Sequence, residues 1–292
     1  MKDVLELGPS GWVRNEIPWE PDASFFGVLG NPIEHSLSPA MHNAALAERE
    51  LESEYLPIRL DADQVGRLKE LPASAFLAGF NVTSPLKEVV AAICDDLTDQ
   101  ARVLEAVNAV KVEKNGSWRG HNTDSGGILS VLTEAWTETV PPVKATVLGT
   151  GGSARAAVDA LTRWGVSTVT VQAHSAGGFE RFEEWVRKQE NFQNVLVETL
   201  PAEPPEVPSE PAVWVCCLQG GVVSRPFLPD AGGDVSCLLL DLRYGSQLPS
   251  STVPLGFQFA DGLPVLLMQG VLSFAWWFGP PIPMLSMRAA LG

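Results

Sequence analysis

The sequence predicts an α/β protein of two domains, and three observations carry that expectation. The chain has 292 residues, about twice a common domain length, so each half is long enough to bury a core of its own. Short apolar runs of strand type alternate with segments whose apolar residues recur at helical spacing, which predicts a mainly parallel sheet covered by helices. Near the midpoint, Gly149-Thr150-Gly151-Gly152-Ser153-Ala154 follows one such strand and opens one such helix.

Taken in order, residues 1–24 lack clear periodicity, and Trp12, Val13, Ile17 and Trp19 are expected to pack as a short arm over the surface. Strands are expected over 26–30, 55–60 and 80–83, with helices over 39–51 and near 63–71. Residues 125–140 read as a helix closed by Pro141-Pro142, and a second domain begins hereabouts. It continues with strands over 145–148, 168–171, 194–197, 213–218 and 237–242, and helices over 152–164 and 179–189. Prolines crowd 201–211 too densely for regular structure, so that run is expected to be an exposed spacer.

Composition narrows the function. Hydrophobic residues at 45% and charged residues at 19% are ordinary for a folded globular chain and exclude disorder as its general state. The balance of 20 Lys+Arg against 35 Asp+Glu, net −15, argues against nucleic acid or anionic lipid as a partner, yet leaves an anionic small molecule open, because one or two local cations set the field of a site. Cys94, Cys216, Cys217 and Cys237 form no C-x-x-C pair, so neither a zinc cluster nor a disulfide framework fits. The first twenty residues have no continuous apolar stretch of signal-peptide type, and the most apolar segment, 264–281, is interrupted by Gln269, Gly270 and Gly279. The expectation is a reduced, cytoplasmic protein with no membrane span and no metal.

The glycine-rich turn satisfies the G-x-G-x-x-A form of the dinucleotide fingerprint in its required strand-to-helix setting. Gly149 permits the tight turn, Gly151 lets the backbone approach a pyrophosphate, Gly152 and Ser153 open the helix, and Ala154 lets helix and strand pack closely. About 20 residues on, an NAD site would place a carboxylate and an NADP site an arginine. The chain has Gln172-Ala173-His174-Ser175, with neither; His174 and Arg181 are weak substitutes.

Three other segments are dense in polar groups: Gly30-Asn31-Pro32-Ile33-Glu34-His35-Ser36-Leu37-Ser38-Pro39, Asn81-Val82-Thr83-Ser84-Pro85-Leu86-Lys87, and Asn108 with Asn122-Thr123-Asp124. Ser36 and Ser38 suit a carboxylate, while Thr83, Asn108 and Gln269 can satisfy the hydroxyls of a polyol acid. Singly, each has a local reading; Ser38 before Pro39 is expected as an ordinary N-cap. His35, His42 and His121 share no ligand spacing and are expected in packing or hydrogen-bonding roles.

Taken together, these segments resemble the shikimate dehydrogenases. From Phe25 to about Gly279 the sequence carries, in order, G-N-P-x-x-H-S-x-S-P, N-V-T-x-P-x-K, A-V-N, N-T-D-x-x-G, the glycine turn, Asp241-x-x-Tyr244, and Asp261-Gly262 ahead of Gln269-Gly270. The resemblance implies a catalytic pair, Lys87 and Asp124: an ammonium that donates a proton to a developing alkoxide and a carboxylate that orients it. It implies substrate contacts from Ser36, Ser38, Thr83, Asn108, Gln269 and Tyr244, the last near the substrate carboxylate. It implies cofactor contacts from Gly149, Gly151, Gly152, Ser153, Ala154, His174 and Gly262. Which member of the Lys87/Asp124 pair is the principal proton donor stays open.

The sequence departs from the family where the cofactor would lie. Ala173-His174-Ser175 stands where an arginine-bearing triplet is usual, Cys216-Cys217-Leu218 replaces Asn-Ala-Thr, and Ala109 replaces the usual threonine. The implied activity is reversible NADPH-dependent reduction of 3-dehydroshikimate to shikimate, on the route to chorismate and the aromatic amino acids. Its alternatives are an NAD-dependent quinate/shikimate dehydrogenase and a noncatalytic shikimate-binding homologue with a degenerate cofactor site. The expected architecture is a substrate-binding and catalytic domain over 1–123 with 263–292 and a Rossmann-like dinucleotide-binding domain over 124–262, with the active site in a cleft between them. The expected partner is the small-molecule substrate, and the expected assembly a monomer or homodimer.

Overall fold

The structure, a computed structural model, describes residues 4–9, 11–70, 76–201, 203, 205–218, 228–230, 235–248 and 253–292. The chain divides into two compact units, 1–123 with 269–292, and 124–268.

In the first unit, strands β1 (Leu5–Gly8), β2 (Gly11–Arg14), β3 (Ile17–Pro18), β4 (Phe25–Gly30), β5 (Tyr55–Arg59), β6 (Leu77–Val82), β7 (Asp96–Leu97), β8 (Ala109–Val112) and β9 (Trp118–His121) form one sheet, ordered β3-β2-β1-β5-β4-β6-β8-β9-β7. Its helices are α1 (Ser38–Glu48), α2 (Val65–Glu70), α3 (Lys87–Ile93) and α4 (Asp99–Leu104). Strand β4 pairs in parallel with β5 and β6, and all its residues are buried, which is why its run is apolar without alternation. The helix expected near 63–71 is a 3-10 turn over Ala62–Gln64 followed by α2; residue 71 lies outside the described residues.

Two sequence expectations need correction here. Residues 5–18 are no surface arm: β1 and β2 pair antiparallel, and β1 joins β5 in parallel, so the segment extends the sheet. Leu5 and Leu7 point inward, and buried Trp12 meets Phe25 edge-on with ring centroids 5.6 Å apart. Strands of two to four residues are too short to display a period, which hid them. The sheet is also mixed, because β8 runs antiparallel to both β6 and β9.

The second unit holds α5 (Asp124–Ala135), β10 (Lys144–Leu148), α6 (Gly152–Trp164), β11 (Thr168–Ala173), α7 (Ala176–Arg187), β12 (Val195–Thr199), β13 (Ala212–Cys216), β14 (Cys237–Asp241) and β15 (Phe257–Ala260). The chain then enters α8 (Leu263–Phe278), whose residues from Gln269 onward belong to the first unit, and ends in α9 (Met284–Ala289). All neighbours in the second sheet are parallel, ordered β12-β11-β10-β13-β14-β15. Counted from β10 this is 3-2-1-4-5-6, the doubly wound order that reverses direction between its first and fourth strands. Within the expected spacer over 201–211, residues 202 and 204 lie outside the described residues; the others form no helix or strand.

Candidate functional site

The first unit gathers its polar residues at the carboxyl ends of β4 and β6. Thr83 follows β6 directly, and its backbone N–H donates to the Leu29 carbonyl at 2.8 Å. The loop after β4 carries Ser36, whose hydroxyl accepts from the Ser38 N–H at 3.3 Å. Ser38 is therefore not the N-cap that its place before Pro39 suggests. Leu37 occupies the cap without a side-chain bond, and Ser38 is the first residue of α1, buried to 5% exposure. Neither the Ser38 nor the Thr83 hydroxyl bonds to another side chain or backbone group among the described residues, which fits groups whose partner is a ligand.

Behind these hydroxyls lies a buried hydrogen-bond network. The Asn108 amide donates to Thr123 Oγ1 at 2.9 Å and Gln269 Oε1 at 3.2 Å, while Asn108 Oδ1 accepts from the Thr123 N–H at 2.7 Å. Thr123 Oγ1 sits 3.0 Å from the Gln269 carbonyl and 3.1 Å from Ser273 Oγ. Asn81 Nδ2 donates to the Asn108 carbonyl and to Ser273 Oγ, both at 2.9 Å, and Asn81 Oδ1 accepts from the Tyr55 hydroxyl at 2.8 Å. The structure thus brings Asn108 and Gln269 together. It adds Asn81, Thr123, Ser273 and Tyr55 as the groups that hold them. The sequence carried a signal only for Asn81 and Thr123, each inside a motif; Ser273 and Tyr55 look like filler in apolar runs.

His42 lies beside this network without joining it. Its ring stacks on Tyr55 at 4.4 Å, and neither buried nitrogen has a partner among the described residues. Burial pushes its pKa down to about 3 and pushes the Tyr55 phenol well up, the latter offset by Asn81. His121 bonds Thr98 at 2.9 Å and leans on Trp276.

Lys87 opens α3, with Leu86 in the cap position, and its carbonyl accepts from the Val107 N–H at 3.0 Å. Asp124, next in the chain after Thr123, opens α5 of the second unit.

In the second unit the glycine turn sits at the strand-order reversal. Gly149 has φ +111°, which L side chains rarely adopt, and a Cβ at Gly151 would meet nothing within 4 Å. Gly151 caps α6 with Gly152 and Ser153 in its first turn, and fully buried Ala154 packs that turn onto the sheet. An open approach to backbone N–H groups at a helix start fits a dinucleotide pyrophosphate. His174 stands exposed just beyond β11. Gly262 has a packing reason to be glycine: a Cβ there would collide with the Leu242 carbonyl oxygen. Next to Tyr244, Arg243 forms a buried bidentate pair with Asp241, Nε–Oδ1 2.9 Å and Nη2–Oδ2 2.6 Å, and approaches Cys216 Sγ at 3.5 Å. Burial is the largest single influence and opposes the Arg243 charge, but the hydrogen bonds and charge interactions with Asp241 and Cys216 together outweigh it and hold the guanidinium pKa above its usual value. Among the described residues no cluster of three or more His, Cys, Asp or Glu could hold a metal ion, and no helix is long and apolar enough to cross a membrane.

A doubly wound parallel sheet with a glycine turn at its reversal, joined in one chain to a second α/β unit lined with buried amides and hydroxyls, defines the two-domain dinucleotide-dependent dehydrogenase class. Residues 28–110 match the profile of the shikimate dehydrogenase substrate binding domain. The chain is 32% identical to a shikimate dehydrogenase (NADP(+)) of Desulforamulus reducens, over 91% of this chain and 93% of that protein. It is 31% identical to the enzyme of the same name from Nostoc sp., covering 91% and 94% respectively. A solved shikimate 5-dehydrogenase from Thermus thermophilus, in complex with NADP(H) and shikimate, superposes with TM-score 0.70 at 31% identity, covering 92% of this chain and 98% of that one. The chain belongs to the shikimate dehydrogenase family.

Proposed function

We propose that this protein catalyses the reversible, NADP-dependent reduction of 3-dehydroshikimate to shikimate, a step towards the aromatic amino acids. The observation that carries the reading is the buried network around Asn108, which fixes the Gln269 side chain beside an amide and a hydroxyl, as a polyol acid requires. Residues 1–123 with 263–292 are assigned to substrate binding and 124–262 to the dinucleotide. Thr83, Asn108 and Gln269 hold the ring hydroxyls, and Ser36, Ser38 and Tyr244 hold the carboxylate.

The chemistry that a reduced nicotinamide would supply, when held by the glycine turn, is a hydride for the carbonyl carbon. Lys87 does the accompanying proton chemistry: its ammonium can give a proton to the oxygen as negative charge develops there. In the oxidative direction the same nitrogen takes the proton back. Asp124 orients the ammonium and balances its charge. Gly149, Gly151, Gly152 and Ser153 present backbone to the pyrophosphate, Ala154 keeps α6 close to the sheet, and His174 and Gly262 complete the cofactor side. No metal is required. We assign the protein to the cytoplasm, as a monomer or homodimer without nucleic-acid partners, in keeping with its net charge of −15.

The test is Lys87→Ala. Turnover should fall by about 10²- to 10⁴-fold, with shikimate affinity within a few-fold of the parent. Turnover retained within about tenfold would remove Lys87 from the chemistry. The arginine-free sequence Ala173-His174-Ser175 favours one second reading, an NAD-dependent quinate/shikimate dehydrogenase. Comparing kcat/KM for both acids with both dinucleotides separates the two.

A further inference from the structure

We infer that Arg181, on the exposed side of α7, is the residue that recognises the adenosine 2′-phosphate of NADP in this chain and so sets its choice of dinucleotide; the inference rests on the dehydrogenase reading above. The end of β11, where a ribose-reading side chain is expected, offers Ala173, His174 and Ser175. Ser175 is occupied locally, because its hydroxyl accepts the Gly178 N–H at 3.1 Å and caps α7. That cap lies against the glycine turn: a Cβ at Gly178 would fall 2.6 Å from Thr150 Oγ1. The first turn of α7 therefore borders the phosphate-binding loop within the same unit. Arg181 reaches back along that turn, with Nη1 3.4 Å from the Cβ position of Gly177.

The charge arrangement on α7 points the same way. Glu183 pairs with Arg187, and Glu184 pairs with Lys188 at 2.9 Å, each four residues apart. Arg181 has no such partner and makes no hydrogen bond or ion pair among the described residues. The carboxylate nearest by strand register, Glu198, stands opposite Gln172 rather than opposite the 173–175 turn. An exposed guanidinium laid over this turn offers a fork of donors matched to a phosphate, and no carboxylate occupies the position that would repel one.

The test measures binding rather than turnover. Titration calorimetry with 2′,5′-ADP, 5′-ADP, NADP+ and NAD+ on the parent and on Arg181→Ala, with Arg181→Lys as the conservative variant, isolates the 2′-phosphate. Loss of the guanidinium should weaken 2′,5′-ADP and NADP+ by about ten- to a hundredfold, the range for hydrogen bonds to a charged group. NAD+ and 5′-ADP should change less than twofold, and lysine should restore part of the loss. Equal effects on phosphorylated and unphosphorylated ligands, or none on either, would overturn the assignment. A parent that binds NAD+ and NADP+ equally would also overturn it while leaving a dehydrogenase in place. A parent that binds neither would remove the cofactor reading itself. A melting temperature shared by parent and variant excludes misfolding as the source of a change.

Discussion

Asn81 shows how much of the first unit hangs on single side chains. Its amide ends serve Tyr55, Asn108 and Ser273 at once in a buried setting, so Asn81→Ala strips the tyrosine hydroxyl of its acceptor and the Asn108 carbonyl of a donor. The expected loss is about 2–4 kcal/mol of unfolding free energy in urea titration, since each orphaned buried polar group costs about 1–3 kcal/mol; a change under about 1 kcal/mol would mean that water replaces the amide. His42 supplies a second residue-scale prediction. Its folded pKa of about 3 lies below the ordinary 6.5, so the unfolded chain binds the proton first. Stability is whole above pH 6.5 and falls as pH drops towards 3, by up to about 1.4 kcal/mol per pH unit. His42→Phe should flatten that slope in urea midpoints measured at pH 7 and pH 4.5. Asn81, Asn108, Thr123 and Gln269, which share one buried network, were legible as polar residues because they sit in ordered motifs. The Asp241–Arg243 pair was not, because nothing in Asp241-Leu242-Arg243-Tyr244 says that two opposite charges two residues apart are both buried.

Among elements, the stretch from β10 through α6 was readable in full, since an unbroken apolar strand, a glycine turn and a helix ending at Gly165 each leave a distinct pattern. The strands β1 to β3 and β7 to β9 escaped notice for the opposite reason: they have two to four residues, and short strands are specified by the partners they meet. Trp12 is the clearest such partner. Trp12→Ala should cost about 3–5 kcal/mol, as for other buried aromatics, and loosen β2 from the sheet; hydrogen exchange accelerated at β1 and β2 alone would separate local fraying from global loss. Gly262 is the corresponding point in the second unit. Gly262→Ala drives a methyl into the Leu242 backbone, and the Gly262 N–H to Arg243 carbonyl bond of 2.9 Å must give way. The expected cost is about 1–3 kcal/mol, with shikimate KM raised through displacement of Tyr244; an unchanged KM would detach Tyr244 from the substrate carboxylate.

At the scale of the whole molecule, acidic groups outnumber basic ones by 35 to 20, and the charge vanishes near a pI of 4.7. Turbidity measured against pH should peak close to that value, inside the same window in which His42 withdraws stability, so acid exposure is expected to precipitate the protein rather than leave it soluble and unfolded. The order of the chain has a further consequence. Asn108 and Thr123 belong to the first unit, yet their partners Gln269 and Ser273 come only after the second unit has been completed in sequence. On a ribosome emitting about 5–20 residues per second, the amide and the hydroxyl wait on the order of ten seconds for α8. The second unit, uninterrupted in the chain, is synthesised during that interval, whereas the buried amide and hydroxyl cluster of the first is finished last and is where a translation pause or a chaperone has the most to protect.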